Sequence, residues 1–173
     1  MRERPNSNEY TPYQGQYVSL VPEGDLIEIL ESQKTRTLGL LSGLTEEEAN
    51  SRYKPGKWSL KQVFGHISDN ERIQSYRLLR IARGDRTNLP GYEQDELVPN
   101  GPFEDWSLSQ LAEDYRTVRE ATLTLLRGLR ASDWTRIGNA NGHPVSVRAL
   151  ACINGGHELH HLRIVEEKYL KAK

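Results

Sequence analysis

The chain has one cysteine, one methionine and two phenylalanines among 173 residues, and it has almost no net charge, −1 at neutral pH. With Cys152 alone, no internal disulfide can form, which fits a reducing compartment. No stretch approaches the ~18 uninterrupted apolar residues that a membrane-spanning helix needs. A near-neutral balance provides no basic stripe for phosphates, so nucleic acid is not an expected partner. The first 16 residues are polar and lack the apolar core of a signal peptide. These absences together lead to the expectation of a cytoplasmic protein. Internal repeats and low-complexity tracts are also missing. Apolar residues at 36 % and charged residues at 27 % are ordinary for one globular domain able to bury a core.

Four segments carry helical periodicity, and turn-forming residues separate them. The first spans about Glu23 to Leu41, with Leu26, Ile27, Leu30, Leu38 and Leu41 on its apolar face. "LTEEEAN" adds a short turn in which Thr45 caps and Glu48 follows three places on. Ser59 and Gln62 open a second helix running to Arg83, and Gly84 ends it. A long connection follows from Gly84 to Trp106, well beyond the ~2–8 residues usual between bundle helices. Such a link allows the third helix, Ser107 to Gly128, to run parallel to the second. Residues 131–145 hold "GNANGHPV", which suits a small hairpin, and Ser146 caps a fourth helix reaching about Leu170. The expected architecture is an all-α four-helix bundle over residues 21–173, preceded by an N-terminal extension over 1–20. An irregular all-α domain is the alternative.

The fourth helix reads "NGGHELHHLRIVEEKYL", and His157 and His161 lie on its inward stripe, one turn or ~6 Å apart. Two imidazoles at this spacing can converge on one ion, although surface helices also carry such pairs by chance. His66 is the candidate third ligand. Near it the apolar stripe of the second helix is interrupted by Asn70, Glu71 and Gln74, as a polar pocket would require. Gly155 and Gly156 together cost about 1–2 kcal/mol in helix propensity, which makes sense where a backbone or a ligand must approach closely. Three neutral imidazoles suit Zn, Ni, Fe or Co and leave coordination positions open.

Several residue phrases carry a family resemblance: "GKWSLKQVFGHISDNE", "LPGYEQD" and "HPVSVRALACINGGHELHHLRIV". Over about Leu20 to Tyr169 the chain resembles the DinB/YfiT-like superfamily of bacterial four-helix-bundle proteins. The resemblance implies an up-down-down-up helix course and a divalent-metal triad at His66, His157 and His161. It also implies a homodimer and a small-molecule substrate, turned over either by thiol-dependent transfer, with a low-molecular-weight thiol as cosubstrate, or by metal-dependent hydrolysis. A non-catalytic metal-binding or stress-response protein is the competing reading. For a general base the candidates are Glu71 and Asp69, with a solvated helix charge as the plainer role of Asp69. Asn70 and Glu158 are candidates for supporting the ligands, Glu158 by orienting an imidazole or by a salt bridge to another helix. Tyr92, Gln94 and Asp95 are candidates for the pocket mouth. His160 reads as a packing or interface residue, His143 as a turn residue, and Cys152 as inert packing.

Overall fold

Each long helix begins at a side chain that caps it. The computed structural model describes residues 3–170. Helix α2 (Leu26–Ser42) starts after Asp25, whose carboxylate accepts from the Ile27 amide at 2.9 Å. Helices α4 (Leu60–Ala82) and α6 (Leu108–Arg127) open with full capping boxes, Ser59 with Gln62 and Ser107 with Gln110. Ser146 accepts from the Ala149 amide at 3.0 Å and starts α7 (Val147–Ile164). Each cap is worth about 1 kcal/mol. The short α3 (Glu46–Asn50) carries the expected Thr45–Glu48 box. The first helix begins three residues later than Glu23, since Gly24 has φ +139° and lies outside helical space. The last helix widens into a π-helical stretch over Val165–Leu170.

Helix α4 packs against both α6 and α7, and α2 against the same two. Two apolar clusters fill this bundle. One contains Leu30, Leu78, Leu123 and Ile153, and the other Leu41, Ile67, Tyr115 and Leu162. Along every long helix a buried polar residue falls between these clusters: Gln33 and Thr37, Glu71, Arg119, and Glu158. The core is therefore split by a polar layer.

The all-α expectation needs correction, because a three-stranded sheet sits beside the helices. Strand β1 (Asn88–Leu89) runs parallel to β2 (Ile137–Ala140), which pairs antiparallel with β3 (His143–Ser146). Asn141 and Gly142 turn the hairpin at φ 54° and 77°, the positive angles that a tight two-residue loop demands. The long connection contributes β1 and a further helix, α5 (Gln94–Asn100). Its Phe103 ring lies against Gly65, where any Cβ would meet that ring at 2.2 Å.

The N-terminal segment also adds structure. Helix α1 (Pro12–Val18) is capped by Thr11 and Gln14 and packs on α7. Ahead of it, Glu9 is buried and bonds Arg148 and Ser146, with the Arg148 Nε donating at 2.8 Å. No described helix is long and apolar enough to cross a membrane.

Candidate metal centre

Helix α4 brings His66, and α7 brings His157 and His161, to one point inside the bundle. The His157 Nε2 lies 3.1 Å from that of His66 and 3.2 Å from that of His161. One ligand atom from each residue falls within a mutual span of 4.8 Å. Two nitrogens bound at ~2.0–2.1 Å to a tetrahedral ion are about 3.3 Å apart, so the spacing fits such an ion with little movement. Among the described residues no fourth His, Cys, Asp or Glu joins the group.

All three rings are buried, and burial disfavours the imidazolium. It lowers the His66 pKa to about 4. His157 and His161 are held well below the ordinary value by burial and by the neighbouring histidines. At neutral pH the cluster is therefore three uncharged imidazoles, the protonation state a metal requires. Trp58 lies against two of them, its ring centroid 4.9 Å from His66 and stacked on His161 at 6.4 Å. Tyr17 of α1 presents its ring edge-on to His157 and His160.

The two carboxylate candidates for a general base are both engaged elsewhere. Glu71 takes bonds from the fully buried Arg119, from Nη2 at 2.7 Å and from Nε at 2.8 Å. Glu158 accepts from Arg119 Nη2 at 2.7 Å, from Tyr115 at 2.5 Å and from Thr37 at 2.6 Å. Of the two roles weighed for Glu158, the structure displays the interhelical salt bridge. Asp69 pairs with Arg72 on the α4 surface at 3.2 Å, and Arg72 also reaches Asp114.

Asn70 is buried and accepts from the Tyr92 hydroxyl at 2.7 Å. Tyr92, Gln94 and Asp95 line a cavity of about 600 Å³ that His157 also lines. Gln94 and Asp95 further border a second cavity, about 740 Å³, reached by Trp58, His160 and His161. The triad thus faces one cavity through His157 and another through His161. His143 lies on the exposed hairpin at the edge of the smaller cavity. Cys152 is buried, and burial raises its thiol to about 11, which suits packing.

Tyr17, Trp58 and Arg119 were not among the residues picked from the sequence as functional. Arg119 could have been found: it lies four places after Tyr115 on the apolar stripe of α6, where a cation demands a buried partner. Nothing local marks Tyr17.

A family model described as the DinB superfamily matches residues 29–165. A protein of Oceanobacillus iheyensis named "Putative metal-dependent hydrolase" is 24 % identical over 147 residues, 77 % of each chain. In structure the chain is similar to YfiT from Bacillus subtilis, described as "a probable metal-dependent hydrolase with an unusual four-helix bundle topology". The TM-score is 0.69 at 14 % identity, over 99 % of this chain and 94 % of that one, which speaks for the fold. With the helix order, the buried histidine cluster and the family match in agreement, the chain belongs to the DinB superfamily.

Proposed function

We propose that the chain is a metal-dependent enzyme, in the first instance a hydrolase, with one divalent Zn, Ni or Fe ion on His66, His157 and His161. One observation carries the reading: three buried, neutral imidazoles converge, the His157 Nε2 lying 3.1 Å from that of His66 and 3.2 Å from that of His161, with no fourth protein ligand among the described residues. A structural site is ordinarily closed by four ligands, whereas a catalytic one keeps a position open. When bound, the ion supplies Lewis acidity that makes water or a thiol a nucleophile near neutral pH. The chain's own residues do the rest. Trp58 and Tyr17 pack their rings against the triad, and the Arg119 network ties α4, α6 and α7 together within the bundle. Gln94 and Asp95, on the rim of both cavities, are placed to meet substrate as it enters.

A second reading, thiol-dependent transfer, is favoured by the two cavities. The larger, on the His161 side, has room for a low-molecular-weight thiol, and the smaller, on the His157 side, for its electrophile. The same family reading extends to an up-down-down-up helix course, a homodimer and a cytoplasmic location.

Metal analysis of untagged protein tests the proposal. The expected result is close to one ion per chain, lost in His66→Ala and His161→Ala with the helical spectrum retained. Azide or thiol should perturb the spectrum of the cobalt-loaded protein, and a thiolate band would select transfer over hydrolysis. No uptake near one ion after loading removes the enzyme reading. A tightly held ion that accepts neither ligand leaves a non-catalytic metal protein.

A further inference from the structure

Among the described residues, four cationic side chains are almost wholly buried: Lys61, Arg77, Arg119 and Arg148. Three of them have carboxylates. Lys61 meets Glu46 at 2.8 Å, Arg119 meets Glu71 and Glu158, and Arg148 meets Glu9. Arg77 differs. It is 7 % exposed, and among the described residues no carboxylate pairs with it. Its Nη2 donates to the Pro90 carbonyl at 2.5 Å and its Nη1 to the Gln74 side chain at a long 3.4 Å. The guanidinium carbon stands 5.9 Å from the Tyr92 ring centre. Burial pulls its pKa down, and no neighbouring carboxylate offsets that pull.

A buried cation without a counter-ion costs several kcal/mol, and folds rarely retain one without a use. Arg77 borders the smaller cavity, the one that His157 also borders. The acidic residues on that cavity, Glu93 and Asp95, sit exposed on the connection and form no ion pair with it. Its other polar walls near Arg77 are the neutral Asn70, Gln74 and Tyr92. One planar cation with neutral neighbours balances one negative charge, and a guanidinium fork matches a carboxylate geometrically. A phosphate dianion would call for more positive charge than this wall offers.

We propose that Arg77 marks a subsite for a carboxylate group of the substrate, held in the cavity on the His157 side of the triad. The proposal deepens the metal-enzyme reading and rests on it for the word substrate, but anion binding at Arg77 can be measured without any metal.

Calorimetric titration of the full chain with benzoate and with its neutral analogue benzamide, in metal-free and zinc-loaded protein, provides the test. Benzoate should bind both forms, benzamide should bind at least tenfold more weakly, and Arg77→Gln should cost benzoate at least tenfold in both. Arg77→Lys should retain part of the affinity. If Arg77→Gln fails to fold by circular dichroism, the Arg77→Lys titration and the wild-type comparison of benzoate with benzamide decide. Absence of benzoate binding, equal binding of the two probes, or affinity untouched by Arg77→Gln overturns the subsite. Binding that needs zinc and ignores Arg77 puts the carboxylate on the ion, which ends this proposal and leaves the metal reading intact. Benzoate held through Arg77 in a chain that takes up no zinc does the reverse.

Discussion

The carbonyl oxygen of Tyr17 occupies the place where a side chain at Gly156 would begin, 1.9 Å from an ideal Cβ. Helix α1 is seated on α7 by this backbone contact. Alanine at 156 should gain ~1 kcal/mol of helix propensity, yet the obstacle is main chain and no rotamer relieves it. Gly156→Ala is therefore expected to lift α1 and to cost about 1–3 kcal/mol net in urea unfolding, as overpacking does. Gly155→Ala is the control. Its nearest neighbour is the Leu30 methyl at 3.2 Å, which can yield, so its effect should stay within ~1 kcal/mol. Equal effects at both positions would sink the explanation.

The Arg119 network makes a second prediction. Arg119→Met leaves Glu71 and Glu158 buried without their cation, and breaking such a set costs about 3–5 kcal/mol. Replacing all three, with Gln at 71 and 158, should recover most of that loss. Both forms should keep metal stoichiometry, since neither carboxylate belongs to the histidine cluster. Chemical denaturation with metal analysis on the same samples checks both parts.

What could be read from the sequence was local or periodic. Capping boxes at Ser59 and Ser107 involve residues three apart, and His157 with His161 is a one-turn spacing, so all were visible. His66 was visible because polar residues interrupted its stripe. Glu71 and Glu158 were visible as inward-facing, and for Glu158 a salt bridge to another helix was one of two open roles, but their common partner Arg119 lies 48 and 39 positions away and could not be named. Helix α1 lacks an apolar stripe and is held by a backbone contact and a distant ion pair, which leave no periodic trace. Strand β1 is two residues long and depends on β2 for its existence. The family resemblance conveyed the triad as a set, which spacing alone could not.

The Glu9–Arg148 pair ties the N-terminal segment to the start of α7, so Glu9→Gln is expected to loosen residues ahead of α1. The Glu9 carboxyl is held down to about 2, first by its bond to Arg148 and then by Ser146 and Asn6. Its folded pKa lies below the ordinary 4.5, so its contribution is whole above pH 4.5 and is lost as pH falls toward 2. The variant should be less stable by about 2–3 kcal/mol at pH 7, with Arg148 left short of its main partner. The gap should narrow at pH 3, and N-terminal amides should exchange faster in the variant. A gap independent of pH would reject the pairing as its cause.

The histidine cluster titrates in a different window. Burial keeps His66 neutral down to about pH 4 and holds His157 and His161 well below 6.5, whereas all three titrate near 6.5 once unfolded. Between these limits the unfolded chain binds protons that the native chain refuses. Stability of the metal-free protein should therefore fall as pH drops from 6.5 toward 4, by up to ~1.4 kcal/mol per pH unit for each such group. His66→Gln removes one of them and should flatten the slope by about one proton. Zinc competes for the same lone pairs, so its apparent affinity should weaken over the same interval. Urea midpoints at several pH values, with and without zinc, measure both effects. If wild type and His66→Gln lose stability in parallel between pH 6.5 and 5, the ring at 66 is not a buried neutral imidazole, and its place in the metal centre is lost with it.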